Sequence, residues 1–235
     1  LLMYILRSTA HLCIIIAPYF VKYTSKGKTI KNDDLDDKSA YEFILNALKL
    51  AAGVISQDAS AYMFHADSKG LIFRRAWEDA GFYLSAVCLW VKNNFTFGRQ
   101  NYKWCHESCL YGWLKKGSHK WFGDQKQSTC WHVNKPLKNE FHITQKPLEL
   151  MAIPIRNSTM TNGLVYEPFS GSFSTGMACE QLNRVCYAME LDESYLSASL
   201  RRYRESYPTA EITCERDGKT YAYAELVNEV EKTAT

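Results

Sequence analysis

The sequence has no apolar run long enough to cross a membrane. The run Leu12-Cys13-Ile14-Ile15-Ile16 is apolar, but a membrane-spanning helix needs about 20 such residues in succession. The first residues also show no good signal-peptide cleavage pattern. These absences argue against a membrane protein, and we expect a cytoplasmic protein with no membrane partner.

Neither sign of charge is in large excess. The 28 Lys and Arg residues and the 25 Asp and Glu residues leave a formal net charge of +3. That value does not by itself imply nucleic-acid binding, which clustered basic residues would have to support. With 46% hydrophobic and 23% charged residues in a chain of 235, the composition is that of an ordinary globular protein with a sizeable core.

The sequence also lacks the paired ligand clusters of a zinc site. Its eight cysteines are scattered along the chain. The segment Cys105-His106-x-x-Cys109 has suitable ligand types, but no second cluster has ligand spacing. We therefore expect free thiols in a reducing compartment and no bound metal.

The order of the apolar segments predicts an α/β fold. Residues 12–16 form a continuous run, which suits a strand buried on both faces of a parallel sheet. After a polar loop, the patterns read in turn as helix, strand, helix and strand at residues 39–55, 61–67, 71–80 and 83–91. This βαβαβ order predicts a doubly wound, Rossmann-like sheet.

The periodicity is lost between residues 92 and 141 and returns afterwards. We interpret this middle region as an irregular insertion. Further helices are predicted at residues 147–156 and 193–207, and the run Arg201-Arg202-Tyr203-Arg204 on the second is interpreted as a solvated face. The tail is predicted to hold a strand at 211–214 and a helix at 221–231.

The stretch from Tyr166 to Glu190 has the pattern of half a nucleotide-binding site. A strand leads into a turn of small residues, and a helix and a second strand ending in Glu190 follow. Backbone N–H groups of such a turn can approach a ligand, and the carboxylate can accept hydrogen bonds from ribose hydroxyls. A nicotinamide-dependent enzyme would need a Gly-x-Gly-x-x-Gly turn, which the sequence lacks.

The amino-acid sequence of this turn resembles that of one enzyme family. Residues 167–176, Glu-Pro-Phe-Ser-Gly-Ser-x-Ser-Thr-Gly, are similar to the cofactor loop of the S-adenosylmethionine-dependent DNA amino-methyltransferases, which modify adenine N6 or cytosine N4. Residues 90–93, 106–112 and 144–150 look like other recurrent segments of that family. The order of these segments, with the cofactor loop late in the chain, is similar to that of the group called β-class.

The resemblance implies a division of the chain. Residues 1–92 would form the half of the methyltransferase domain with the catalytic segment, and residues 93–141 the target-recognition region. Residues 142–207 would form the cofactor-binding half, and residues 208–235 a tail.

The resemblance also implies site residues. Pro18 and Tyr19 would be catalytic, with Tyr19 stacking on a base flipped out of the duplex. The residues implied to bind S-adenosylmethionine are Gln145, Lys146, Glu167, Phe169, Ser170, Gly171, Ser172, Ser174, Thr175 and Glu190. The residues expected to contact bases or phosphates are Phe20, Lys115, Lys116, Lys120 and Trp121. For aromatic residues of the insertion, the alternative is a place in its core.

The catalytic segment departs from the family pattern. Family members have Asp, Asn or Ser, then two prolines and Tyr or Phe, whereas this chain has Ile16 at the polar position and Ala17 at the first proline. An isoleucine side chain cannot accept a hydrogen bond from the target amine. Loss of such an acceptor costs about 2.7–4 kcal/mol of transition-state stabilisation, or about 100- to 1000-fold in rate.

The cofactor loop departs at Phe173, where the family usually has glycine. If this position needs a positive φ or a close approach of the backbone to the ligand, phenylalanine should strain or block it. The departures leave two hypotheses. One is a DNA methyltransferase of the restriction–modification kind, with impaired turnover. The other is a catalytically inactive protein of the same fold that serves as a DNA-binding or partner subunit. A homodimer is a separate expectation, which rests on analogy with relatives of this class.

Both hypotheses depend on one spatial arrangement. Tyr19, from the beginning of the chain, must face the turn Ser170–Thr175, from its last third, across a single cleft. His106 and Glu107 could also face the target or the cofactor, and the alternative is a structural hydrogen-bond pair.

Overall fold

A seven-stranded sheet with helices on both faces forms the body of the computed structural model, which describes residues 9–25, 28–95, 101–135 and 145–226. The strands are β1 Ala10–Ile15, β2 Thr24–Ser25, β3 Lys28–Thr29, β4 Ile55–His65, β5 Phe82–Val91, β6 His106–Leu114, β7 Cys130–His132, β8 Leu164–Glu167, β9 Val185–Ala188, β10 Thr213–Arg216 and β11 Lys219–Ala222. The helices are α1 Asp37–Ala52, α2 Gly70–Asp79, α3 Leu148–Ser158, α4 Ser174–Gln181 and α5 Glu193–Ser206, with a 3₁₀ turn at Asp67–Lys69.

The sheet is mostly parallel, as predicted. Its order is β7-β5-β6-β4-β1-β8-β9, and β1 pairs in parallel with both β4 and β8, while β8 pairs in parallel with β9. The apolar run in β1 is continuous because both of its faces are covered. Leu12 and Ile14 pack into one core cluster, and Cys13 and Ile15 into the other.

The two core clusters explain the doubly wound arrangement. Helices α1 and α2 cover one face of the sheet through apolar residues such as Ile44 and Trp77. Helices α3 and α4 cover the other face through residues such as Met151 and Ala178. In the described ranges, no helix combines the length and the apolar character needed to cross a bilayer.

The prediction of an irregular insertion is wrong for strand β6. This nine-residue strand runs antiparallel between β4 and β5 inside the main sheet. Gly112 is required there, because a Cβ atom at this position would lie 1.8 Å from the carbonyl oxygen of Tyr83. The glycine and the mixed aromatic and polar residues of β6 hide its strand periodicity in the sequence.

The tail also differs from its prediction. Strands β10 and β11 form a hairpin whose turn, Asp217-Gly218, has positive φ at both residues, as a two-residue hairpin turn of this type requires. The predicted helix at 221–231 begins only after β11, and its last five residues lie outside the described part of the chain.

Candidate active site

The carboxyl ends of β1 and β8 bring the two predicted segments together. Because β1 pairs in parallel with β8, the segment after β1 and the turn after β8 lie at the same edge of the sheet. Pro18 and Tyr19 follow β1, and the turn Ser170–Thr175 follows β8. The two segments therefore lie at the same edge of the sheet, as the prediction requires; that Tyr19 faces the turn across a single cleft stays a prediction.

Tyr19 is held by a buried network of charges. Its hydroxyl donates a hydrogen bond to Glu107 Oε2 over 2.9 Å. Lys146 Nζ lies 2.7 Å from the same oxygen, and Lys92 Nζ lies 2.8 Å from Glu107 Oε1. The side chains of Lys146 and Lys92 are only 4% and 7% exposed. One carboxylate thus joins two ammonium groups and a phenol.

Aromatic rings surround the Lys146 ammonium group. Its nitrogen lies 5.0 Å from the centre of the Tyr19 ring, 5.5 Å from that of Trp90 and 6.0 Å from that of Phe64. These are distances at which a cation is attracted to the face of an aromatic ring. One side of Tyr19 is therefore occupied by a lysine that also binds Glu107.

The charges in this network have strong effects on ionisation. Burial raises the pKa of the Glu107 carboxyl, but the ammonium groups of Lys146 and Lys92 and their hydrogen bonds outweigh burial and bring that pKa to about 2. Burial, the Glu107 charge and its hydrogen bond raise the pKa of Tyr19 well above the usual value. At neutral pH the pair is therefore a carboxylate and a protonated phenol.

The segment before Tyr19 provides no side-chain acceptor. Ile16 is half-buried against the core cluster of α3 and α4, and Ala17 is buried. Neither side chain has an oxygen or nitrogen atom, so any acceptor for a target amine here must be a backbone carbonyl.

Phe20 is buried in the hydrophobic core. It adopts a left-handed conformation with φ 58°, and its side chain is 3% exposed in contact with Phe43 and Phe73. The buried Asp33 carboxylate stabilises this turn by accepting hydrogen bonds from the N–H groups of Phe20 (2.7 Å) and Tyr23 (2.6 Å). Phe20 therefore belongs to the core, and the expectation that it contacts a base is not supported by its position.

Glu167 and Gln145 have buried polar atoms that lack a partner. Glu167 is fully buried, and its Oε1 accepts a 2.6 Å hydrogen bond from the Thr175 hydroxyl. Glu167 Oε2 and Gln145 Oε1 are buried without a hydrogen-bond partner in the described part of the chain. Such groups are rare unless a ligand or water satisfies them. They fit a polar ligand at this edge.

Phe173 shows how the chain tolerates its departure from glycine. Its φ is 60°, so the position does require the left-handed conformation. This costs about 1–2 kcal/mol for a residue with a side chain. The ring lies directly over Gly176, where an added Cβ would be 2.1 Å from Phe173 Cζ, and it contacts Tyr203 of α5. The absence of a side chain at Gly176 makes room for the ring.

The hydroxyl groups of the turn make contacts within the protein. Ser174 Oγ donates to the carbonyl of Lys146 over 2.8 Å, and Ser172 and Ser174 are within 3.2 Å of each other. Arg202 Nη1 donates to the carbonyl of Ser172 (2.7 Å) and to Ser174 Oγ (3.2 Å). Arg202 is buried, so the expectation of a solvated face is wrong for this residue.

Glu190 joins the turn to the loop after β9. Its Oε2 accepts from the N–H of Gly171 over 2.7 Å, and its Oε1 accepts from the N–H of Asp192 over 2.8 Å. Each carboxylate oxygen can accept a second hydrogen bond, so Glu190 can still bind a diol. Phe169 instead packs on Phe43, and Ser170 is buried.

The predicted basic contacts lie at the opposite edge of the sheet. Because β6 is antiparallel to β4, its end at Leu114 lies beside the start of β4. Lys120 is exposed and pairs with Asp58 at 2.6 Å, and Asp58 precedes His65 by about 23 Å of strand at 3.3 Å per residue. Other exposed residues of this group follow the same strand end: Lys115, Lys116 and Trp121. The structure does not bring them to Tyr19.

The importance of Lys92 was missed from the sequence. It lies in the recurrent segment 90–93, but its pairing with Glu107 depends on β5 and β6 lying side by side. Cys109, in the candidate metal segment, is buried in the core whereas Cys105 is exposed. In the described ranges, no three metal-ligating side chains come together.

The chain matches known proteins over most of its length. The sequence model of the DNA methylase family matches residues 10–201 of this chain. Similar proteins include the type II methyltransferase M2.MboI of Moraxella bovis, which is 25% identical over 209 residues, covering 80% of this chain and 74% of the relative.

Two solved structures share the fold. M1.HpyAVI in complex with SAM aligns with a TM-score of 0.62 and 24% identity, covering 83% of this chain and 89% of the other. The PvuII DNA methyltransferase, described as cytosine-N4-specific, aligns with a TM-score of 0.71 and 14% identity, covering 96% of this chain and 85% of the other.

Proposed function

This chain belongs to the DNA methylase family, and from that premise we propose that it transfers a methyl group from S-adenosylmethionine to an exocyclic amine in DNA, adenine N6 or cytosine N4. The observation that carries the proposal is the meeting of Tyr19 with the turn Ser170–Thr175 at one edge of the sheet. A reaction between two bound molecules requires both binding segments at one place.

The residues at this edge suit the methyl donor. S-adenosylmethionine supplies an electrophilic methyl group next to a positively charged sulfur. We propose that Glu190 binds its ribose hydroxyls and that the backbone of Gly171 approaches it closely. We also propose that Glu167 Oε2 and Gln145 Oε1, which have no partner among the described residues, hydrogen-bond to its polar groups. Lys146, Ser172, Ser174 and Thr175 act indirectly by holding the turn in shape.

The target base requires a platform and an acceptor. Tyr19 provides the platform, because an aromatic ring binds an unstacked base by about 1–3 kcal/mol. Ile16 and Ala17 provide no side-chain acceptor, so the amine must be oriented by a backbone carbonyl of this segment. We propose that transfer is slow for this reason.

The second candidate function is that of an inactive DNA-binding or partner subunit, and either candidate is compatible with a homodimer. Ile16 is the observation that favours it, because the missing acceptor alone costs about 100- to 1000-fold in rate. The packing of Phe173 on Gly176 argues against general decay of the fold, since the cofactor turn remains well formed.

Target recognition is proposed for the described parts of residues 93–141, and the protein is proposed to be cytoplasmic. Lys116 and Lys120 lie near Asp58 on β4, and the strand from Asp58 to its end at His65, on the Tyr19 edge, is about 23 Å long. A duplex that contacted both places would span about seven base pairs at 3.4 Å each. We therefore propose that these lysines lie outside the DNA-contacting surface, and that recognition is made by the part of residues 93–141 nearer the Tyr19 edge.

Labelled methyl donor separates the two candidates. S-adenosylmethionine carrying a labelled methyl group is titrated into the protein and then incubated with unmethylated plasmid DNA. Donor binding followed by label in the DNA supports the enzyme, whereas donor binding without transfer supports the inactive subunit. Absence of donor binding would contradict the assignment of the turn.

A further inference from the structure

We infer that Glu107 is a positioning residue, which fixes the Tyr19 ring through its hydroxyl and links it through Lys146 to the cofactor turn. This inference rests on the proposed function, because it assigns how the base platform is held. The sequence indicates only that Glu107 could face the target or the cofactor; its contact with the Tyr19 hydroxyl is seen in the structure.

The contacts of Glu107 are too specific for a simple surface pair. Its two oxygens receive three hydrogen bonds at 2.7–2.9 Å, from Tyr19, Lys146 and Lys92. Both lysine side chains are less than a tenth exposed. Buried charges persist only when paired and hydrogen-bonded, so Glu107 is what permits two ammonium groups beside the tyrosine.

The geometry restricts Tyr19 at two points. The Glu107 carboxylate fixes its hydroxyl, and the Lys146 ammonium group lies 5.0 Å from the ring centre. Rotation of the ring about χ1 would break this hydrogen bond to a charged group, so the contact favours a single orientation of the ring. A base therefore stacks on the side of the ring that Lys146 leaves free.

A continuous path connects this platform to the cofactor turn. Ser174, the first residue of α4, donates its hydroxyl hydrogen to the carbonyl of Lys146, and the Lys146 ammonium group binds Glu107, which binds Tyr19. Lys146 precedes helix α3, whereas Glu107 lies on β6. Three segments distant in sequence thus set the orientation of one ring.

A double-mutant cycle tests whether Glu107 acts through the hydroxyl of Tyr19. The variants are Tyr19→Phe, Glu107→Gln and the two combined, with methyl transfer to unmethylated plasmid DNA as the measurement. Loss of a hydrogen bond to a charged group corresponds to about 10- to 100-fold, so each single change should lower kcat/KM by that order. The double variant should be no worse than Glu107→Gln alone. Additive losses would overturn the inference.

A chemical measurement provides a test that needs neither DNA nor turnover. Tetranitromethane nitrates the ionised phenol, and the extent at Tyr19 is read by mass spectrometry of the peptide that contains it. Each unit by which Glu107→Gln lowers the pKa of Tyr19 should increase its nitration rate about tenfold. Equal rates in the two proteins would overturn the inference.

A matched control and the two readouts separate the possible failures. Asp67→Asn neutralises a carboxylate that accepts from Ser108, the neighbour of Glu107, and it should leave Tyr19 nitration unchanged; an equal increase would overturn the inference. If the wild-type protein transfers no methyl group, the proposed function fails, and nitration alone then decides whether Glu107 positions Tyr19.

Discussion

The two segments that meet at the active edge have departed from their family pattern with different consequences. In the cofactor turn, Phe173 replaces the usual glycine, but its ring fits over Gly176 and against Tyr203. In the catalytic segment, Ile16 replaces the polar residue, and its contacts are with the apolar core. A change of shape can be accommodated by a neighbour, whereas a lost hydrogen-bond acceptor cannot be restored by packing.

This difference predicts that the fold and the cofactor turn are intact while the rate of methyl transfer is low. The structure around Tyr19 supports the same division. Glu107, Lys92 and Lys146 still hold the ring in place, so what is missing beside the platform is one acceptor. Restoring that acceptor should therefore have a large effect.

The largest expected effect is a gain of methyl transfer in Ile16→Asp combined with Ala17→Pro. A carboxylate at position 16 can accept the hydrogen bond of the target amine, and recovery of such an interaction is worth about 100- to 1000-fold in rate. The measurement is incorporation of labelled methyl groups into unmethylated plasmid DNA.

Ile16→Leu combined with Ala17→Pro is the matched control, because it makes the same backbone change without an acceptor. It should transfer methyl groups no faster than the original chain. An equal gain in both variants would show that the acceptor is not what the segment lacks.

The next effect concerns the packing of the Phe173 ring over Gly176. Gly176→Ala places a Cβ where the Phe173 ring now lies, and overpacking of this kind costs about 1–3 kcal/mol in the free energy of unfolding. In a Phe173→Gly background the same change should instead stabilise by about 0.5–1 kcal/mol, because alanine is favoured over glycine within a helix. Urea denaturation measures the change in unfolding free energy in both backgrounds. A change of the same sign in both would contradict the inference that the Phe173 ring needs the space left by Gly176.

A smaller effect is the pH dependence of stability, which differs between the buried glutamates Glu167 and Glu107. Burial raises the pKa of Glu167 well above its usual value, opposed by the Thr175 hydrogen bond, while that of Glu107 is about 2. The contribution of Glu167 to stability is therefore complete below the unfolded-state pKa and is lost as the pH rises towards its folded-state pKa. Glu107 behaves in the opposite way, and its contribution is lost as the pH falls from about 4.3 towards 2.

Glu167→Gln separates the two contributions. It keeps an oxygen for the Thr175 hydroxyl but cannot ionise, so the variant should lose the fall in stability above about pH 4.3, which reaches at most about 1.4 kcal/mol per pH unit. The fall below pH 4.3 should remain. Unfolding free energies measured from pH 3 to 8 check this, and an unchanged slope above pH 4.3 would show that Glu167 ionises normally.

The sequence predicted the parts of this arrangement that depend on local pattern. Helix α1 follows directly from apolar periodicity, strand β1 from its continuous apolar run, and the turn after β8 from its small residues. Strand β6 was missed because Gly112 and its aromatic neighbours make sense only between β4 and β5. Arg202 was assigned to solvent because its partners are the carbonyl of Ser172 and the hydroxyl of Ser174, about thirty residues earlier.

The smallest expected effect tests the separation of the two sheet edges. Lys116→Ala combined with Lys120→Ala removes two exposed charges far from Tyr19, and the pair of Lys120 with Asp58 is a surface ion pair worth about 0–1 kcal/mol. We expect the affinity for a 12-base-pair duplex to change by less than about twofold. At about 0.15 M salt the Debye length is about 8 Å, so charges this far from bound DNA are largely screened. The control Lys49→Ala on α1 should have an equally small effect. A tenfold loss confined to the first variant would mean that DNA extends along the sheet from one edge to the other, and the edge with Tyr19 would then be only part of the DNA-binding surface.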